Sequence, residues 1–366
     1  MARVLYVHGG LLNTGGTESV MLNYFRNIDR KKVHIDFLVH GFGKGYYDDE
    51  ILMTGSKIFN VIPKGQNYFQ NTSEIKKIIK NGNYDAVHSH INAGNAHILK
   101  IAKQCGVPIR VSHSHNSAVQ SNNPLKVLFN TLDKHRIYKY ATHLLACSEI
   151  AGKWLYGKHP FTVINNAIDS KKYVFNSDVR EELRKELGVD ENTVVIGSVA
   201  RYAKQKNHKR IVSIFNDYLN QNKNSVLLLI GEGELKNETE ELINNFDISK
   251  NVRMVPPNKI IYKYLQAMDC FLIPSLYEGL PVVMVEAQAA GLSIVASNNV
   301  SKESRLTDLV SFVSLECDNS KWCKAIKDAV KIKRTDRSAE IRKCGFDISD
   351  ISEKMMHLYI TGELLI

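Results

Sequence analysis

Glu278 and Glu286 stand with seven residues between them in the run PSLYEGLPVVMVEAQAAG, where a Gly-Leu-Pro turn leads from an apolar strand into a helix. Pro281 suits the first helical turn, because the N–H it lacks would be unpaired there anyway. The N–H groups of Gly279, Leu280, Val282 and Val283 are then left for a ligand, backed by the positive end of the helix dipole. A diphosphate is the guest such a start favours. Two carboxylates beside an anion site make sense when they accept hydrogen bonds from neutral hydroxyls, as on sugar and ribose rings. Upstream, VVIGSVARYAKQKNHKR carries Arg201 and Lys206 out of a strand end on a short loop. Basic loop residues are usually just solvated, but two fixed cations there can neutralise a diphosphate leaving group without a metal.

In the first half, VLYVHGGLLNTGGTES puts Gly15 and Gly16 at a helix start, where backbone can approach a ligand closely, with Thr17 and Glu18 opening the helix. Neither a phosphate-binding NTPase loop nor a dinucleotide fingerprint is present. Two His-Ser-His triplets, His88 to His90 and His113 to His115, end neighbouring strands. Residues two apart share a strand face, so each pair has the spacing to chelate a metal. No cysteine or carboxylate completes a ligand set nearby in sequence. The expectation is therefore no metal, but polar histidines lining a sugar pocket, with His115 held over it.

These residues need a frame, and the hydropathy pattern supplies one. Seven short β-branched runs (VLYVH, HIDFLV, KIFNVI, YDAVHSH, PIRVSHSH, HLLACS, FTVINN) and then six more (VVIGSV, VLLLIG, VRMVP, CFLIPS, SIVAS, LVSFVS) alternate with helical patterns. Near-continuous apolar strands belong to parallel sheets covered on both faces. The order βαβα, repeated, predicts an α/β chain of two doubly wound, Rossmann-like domains of roughly equal size. Their boundary is expected in NNAIDSKKYVFNSD, giving domains over 1–170 and 171–346, with a terminal helix over about 347–366 returning to the first. Ligands of open parallel sheets bind beyond the carboxyl ends of the strands, so two such domains are expected to face a cleft.

The 366 residues suffice for two cores, and 44% hydrophobic content excludes intrinsic disorder. No apolar run approaches the ~20 residues of a membrane-spanning helix, and the start lacks a secretory signal, so a cytoplasmic protein is expected. Six scattered cysteines without a C-x-x-C spacing are expected as free, mostly buried thiols. The charge is uneven: up to Ser170 there are 20 Lys+Arg against 11 Asp+Glu, and beyond it 28 against 27. A basic first half could face nucleic acid, an anionic membrane or an acidic small molecule, but no Arg-rich tract or interleaved aromatic motif supports nucleic acid. Between Pro124 and Tyr140, Leu125, Leu128, Phe129, Leu132, Arg136 and Tyr140 share a helix side with Lys126, Lys134 and Lys139 close by, a peripheral contact for an anionic membrane or a stripe that packs on the sheet.

Taken together, the motifs resemble the retaining glycosyltransferases of family 4, with the glycosyltransferase-B fold, over nearly the whole chain. Glu278 and Glu286 match the family's glutamate pair, Arg201 and Lys206 its Arg-x-x-x-x-Lys element, Gly231 to Leu235 its GxG-plus-acidic loop, Gly15 and Gly16 its Gly-Gly turn, and His115 its acceptor-domain histidine. NNAIDS, QKNH and SNNVSKE are similar to the bacterial enzymes of capsule and exopolysaccharide assembly. Two departures stand out: Met254-Val255-Pro256 replaces the usual Phe-Leu-Gly near the base-binding loop, and Asn207 follows Lys206 where many members have Gly.

The resemblance implies a hexosyltransferase-type enzyme moving sugar from a nucleotide-diphosphate sugar, expected to be a UDP-sugar, with retention, to a glycan or polyprenyl-linked acceptor. It further implies that Glu286 holds the ribose, Glu278 the donor sugar, Arg201 and Lys206 the diphosphate, a main-chain group near Val255 the base, and that His115 reaches the donor sugar from the acceptor domain. No cofactor and no metal are implied. The alternative is a non-catalytic glycosyltransferase-like partner or scaffold, which would be expected to lose some of this charged set. A nucleotide-sugar epimerase would need acid/base groups on both sugar faces, and none can be located.

Overall fold

A computed structural model describes residues 1–115, 131, 133–257 and 260–365. Each apolar run read above is a strand in it. The chain divides into two units, Met1–Ala167 with Ile348–Ile366, and Ile168–Asp347.

The first unit is a parallel sheet of β1 (Ala2–His8), β2 (Val33–His40), β3 (Ile58–Val61), β4 (Ala86–Ser89), β5 (Ile109–Ser114), β6 (His143–Ala146) and β7 (Thr162–Val163), in the order β3-β2-β1-β4-β5-β6-β7. The second is a parallel sheet of β8 (Val194–Val199), β9 (Ser225–Ile230), β10 (Val252–Val255), β11 (Cys270–Ile273), β12 (Ile294–Ser297) and β13 (Val310–Val313), in the order β10-β9-β8-β11-β12-β13.

Both faces of each sheet are buried, which is why the strands read as continuous apolar runs. On β1, Val4 and Tyr6 pack under the Gly16–Asn27 helix and the terminal Ile348–Thr361 helix, whose Ile351, Met355, Leu358 and Tyr359 complete that core. Leu5 and Val7 pack on the opposite side with Ile75, Ile79, Ile98 and Leu99. In the second unit Ile196, Leu227, Leu229 and Leu272 meet the His208–Gln221 helix and Trp322, while Val195, Leu228, Phe271 and Met284 fill the other face. At the edge of that unit the Ile168 N–H donates to the Phe346 carbonyl (2.9 Å) and the Ser170 hydroxyl to Asp347, so the strands' incoming and outgoing segments are tied together.

The expected first helix forms as Gly16–Asn27 and the expected terminal helix as Ile348–Thr361, the former burying Val20, Met21, Tyr24 and Phe25 as its periodicity requires. The cysteines are all free, but only Cys147, Cys270 and Cys323 are buried, because Cys105 and Cys344 stand at helix C-terminal caps and Cys317 in a turn. Among the described residues no helix is long and apolar enough to cross a membrane.

Candidate functional site

β8 lies between β9 and β11, the point where the strand order of the second sheet reverses direction. Crevices open at such points, and the loops leaving these strands carry the charged residues. After β8 the chain stays zipped to the loop after β9: the Ala200 N–H donates to Ile230, Tyr202 to Glu232 and Leu235 to Tyr202, each at 3.0 Å. That zipping requires glycine at 231 and 233, since a Cβ at Gly231 would lie 2.0 Å from the Ala200 carbonyl and one at Gly233 2.6 Å from that of Tyr202. Arg201, 72% exposed, pairs across the loops with Glu234 at 3.0 Å. Glu234 is held below its usual pKa by backbone N–H donation first and by Arg201 second.

Lys206 ends a single turn, Lys204–Lys206, and Asn207 follows in the left-handed conformation with φ 58°. Asparagine is among the non-glycine side chains that best tolerate that backbone. The Asn207 amide donates to the Pro274 carbonyl at 3.0 Å, fastening the loop to the end of β11. Lys206 then reaches Glu278, which is only 8% exposed, and forms an ion pair with its carboxylate. Gln205 donates to the Tyr277 carbonyl (2.9 Å) and to the second Glu278 oxygen (3.3 Å).

The helix beyond runs Val282–Ala289, so Pro281 is its cap, extended at φ −71° and ψ 121°, rather than its first residue. The correction is one position and leaves the polarity of the helix start unchanged. Among the described residues the Gly279 and Leu280 N–H groups have no protein partner, and Val282 and Val283 begin the helix, where the ladder leaves donors unpaired. Gly279 has nothing within 4 Å of where a Cβ would stand and no positive φ, so the fold itself does not demand glycine there.

Glu286, half-buried, accepts a 2.7 Å hydrogen bond from the Tyr173 hydroxyl. Burial pushes its carboxyl above the usual range, while Tyr173 and then Lys172 oppose the shift. The Val255 carbonyl is occupied by the Gly231 N–H at 3.0 Å, and Pro256 and Pro257 after it have no N–H to give. Tyr173, Gln205 and Glu234 were not singled out from the sequence. The KKY run after the boundary, the QKNH string and the acidic GEGEL loop held the signals, and none says what the side chain touches.

In the first unit Gly15 caps the Gly16–Asn27 helix and its carbonyl accepts from the Ser19 N–H and hydroxyl; a Cβ on Gly16 would meet nothing within 4 Å. The His115 N–H donates to Asn92 (2.8 Å), and its Nε2 lies 2.8 Å from His90 Nδ1. Burial lowers the His115 pKa to about 3, so the ring is neutral near pH 7. The two His-Ser-His triplets do not stay separate pairs, because His88, His90, His113 and His115 stack on one another across β4 and β5. Of the basic apolar stripe, Leu125, Lys126, Leu128, Phe129 and Leu132 lie outside the described residues. Tyr140 packs against the sheet core, and Lys134 lies over the Trp154 ring at 5.6 Å.

Residues 179–342 match the family described as glycosyl transferases group 1, and residues 14–172 match glycosyltransferase family 4. Bacillus subtilis EpsF, named as a glycosyltransferase, is 32% identical over 98% of this chain and 96% of its own. The chain belongs to the family 4 glycosyltransferases. Another relative of this glycosyltransferase is the Escherichia coli UDP-Gal:alpha-D-GlcNAc-diphosphoundecaprenol alpha-1,3-galactosyltransferase, 29% identical over 61% of this chain and 60% of that protein. The solved structure of Anabaena Alr3699/HepE in complex with UDP-glucose superposes with a TM-score of 0.77 over 99% of this glycosyltransferase and 100% of that chain, at 17% identity, and so shares the glycosyltransferase-B fold.

Proposed function

We propose that this glycosyltransferase transfers a hexose from a UDP-sugar, with retention at the anomeric carbon, to a glycan or polyprenyl-linked acceptor in bacterial surface polysaccharide synthesis. The observation that carries this reading is the meeting of Lys206, Glu278 and the unpaired N–H groups from Gly279 onward at the switch point of the second sheet. The UDP-sugars in the names of the E. coli relative and the Anabaena complex favour uridine, and the diphosphoundecaprenol of the former favours a lipid-linked acceptor.

In this reading the second unit holds the donor and the first the acceptor. Lys206 and Arg201 turn from their carboxylate partners to the diphosphate, whose remaining charge meets the helix start. Glu278 is freed to accept sugar hydroxyls, and Glu286 accepts those of ribose. The bond from the anomeric carbon to the phosphate oxygen breaks with its electrons going to the diphosphate, where two cations and fixed dipoles are already in place. The acceptor hydroxyl attacks from the same face and gives its proton to the leaving phosphate oxygen. No cofactor or metal takes part in these steps.

The test is to incubate the protein with a panel of nucleotide sugars, with and without polyprenyl-diphosphate-linked saccharides, reading nucleotide release and the anomer of the product by NMR. Release from UDP-sugars with an unchanged anomeric configuration is expected. An inverted product would remove retention, and selective use of GDP- or ADP-sugars would remove the uridine assignment.

A further inference from the structure

His88, His90 and His113 play no part in the chemistry above, yet they occupy the middle of the first unit. Pairing of β4 with β5 sets His88 beside Val111, so the two triplets are staggered by one side-chain pair. Strand alternation then turns the imidazoles to one face. Tyr24 stacks on His113 at 6.4 Å, and Tyr359 of the terminal helix meets His88 Nδ1 at 2.6 Å. His88 and His113 are completely buried and His90 is 2% exposed.

Hydrogen bonding among themselves does not satisfy these rings. His88 Nε2 faces His113 Nδ1 at 3.2 Å, but His90 Nε2, His113 Nε2 and His115 Nδ1 are buried with no partner among the described residues. Orphaned buried nitrogens are costly and uncommon in native structures. One ring nitrogen from each of His88, His90 and His113 lies within 4.8 Å of the other two. A tetrahedral zinc with nitrogen ligands at about 2.0–2.1 Å spaces them by about 3.4 Å, close to the separation His88 and His113 already have.

We propose that His88, His90 and His113 form a three-imidazole site for a transition-metal ion of the zinc class. Oxygen-seeking calcium and magnesium are excluded by a donor set without a carboxylate. Burial disfavours the charged form of all three rings, leaving the neutral imidazole that a metal requires. With a metal on Nε2, His88 keeps its proton on Nδ1, 2.6 Å from the Tyr359 hydroxyl, which lies 3.0 Å from that of Tyr6, so a phenol chain orients that ring. The fourth position is left to a water. Sequence alone leaves the set incomplete, since each triplet offers two histidines and only strand pairing adds the third.

The experiment needs neither donor nor acceptor, so its failure would leave the sugar-transfer reading untouched. The full chain, stripped with chelator, is titrated with Zn2+ and separately with Co2+. Expected are close to one zinc per chain, the visible bands of four-coordinate cobalt, and loss of both in His90→Gln and His113→Gln but not in His357→Gln on the surface. X-ray absorption at the zinc edge of the unaltered protein is expected to show three imidazoles, a reading that needs no variant to fold. No stoichiometric uptake, uptake retained by folded His90→Gln, or an edge spectrum with sulfur or fewer than three imidazoles would overturn the proposal.

Discussion

Lys206 and Glu278 are 72 positions apart in the chain and ion-paired in space, because the strands that precede them, β8 and β11, are neighbours in the sheet. The pair keeps a nearly buried carboxylate compensated, and it holds two loops together at the place where the diphosphate is proposed to sit.

Removing either partner alone therefore has two consequences. Lys206→Ala is expected to lower turnover by on the order of 100-fold, the scale of losing one preorganised electrostatic group. It also costs on the order of 1–3 kcal/mol of stability, less than for a fully buried pair because Lys206 is partly exposed. Adding Glu278→Gln restores the unfolding midpoint but not turnover. Arg201→Ala, at an exposed site, is expected to match the loss of turnover without any shift in the midpoint. Turnover near normal in both single variants would sink the diphosphate assignment.

Two glycines separate fold from function. A methyl group at Gly231 collides with the Ala200 carbonyl, so Gly231→Ala is expected to lose on the order of 1–3 kcal/mol in denaturant unfolding. Gly279→Ala has open space and should unfold like the unaltered protein while raising the donor KM. If Gly279→Ala leaves the KM where it was, the helix start does not receive the diphosphate.

The pH dependence follows from Glu286. Its folded pKa lies above the unfolded one, so on acidification the native protein takes up this proton first; the group adds stability as pH falls through the raised value and withholds it above. In the proposed donor site ribose hydroxyls are held by the charged form, so the donor KM is expected to rise on acidification from above the ordinary carboxylate range. Tyr173→Phe, which removes the opposing hydrogen bond, moves that rise to higher pH, and Glu286→Gln flattens it. KM profiles for the three proteins read the order directly, and a shift to lower pH in Tyr173→Phe would contradict it.

Exhaustive chelation is expected to leave sugar transfer intact, since in the proposed mechanism side chains and a helix start perform the charge neutralisation. Activity abolished by chelator and rescued by manganese, in His90→Gln as in the unaltered protein, would show that an ion outside the histidine cluster takes part in the transfer.

Net positive charge in the first half predicts docking on anionic vesicles that fades as salt rises, at about 1 kcal/mol per basic residue near the surface. Sedimentation with anionic and neutral vesicles measures it. Equal association with both, or none at low salt, would favour a soluble acceptor.

What the sequence by itself determined is local. Strand alternation and helical periodicity are relations between residues two to four apart, so the thirteen strands, the Gly16–Asn27 helix and the turn around Gly279 could be read from the chain alone. The residue types at 201, 206, 278 and 286 likewise led to the proposal of diphosphate and hydroxyl chemistry, which the turnover and KM measurements above test. Tertiary structure decided what those side chains touch. Arg201 meets Glu234, Lys206 meets Glu278, Tyr173 caps Glu286, and four histidines from two strands stack beneath Tyr24 and Tyr359. Each of these contacts depends on which strands lie side by side. Strand order is set by how crossover helices pack on the sheet, a property of the whole unit that no short window of sequence carries.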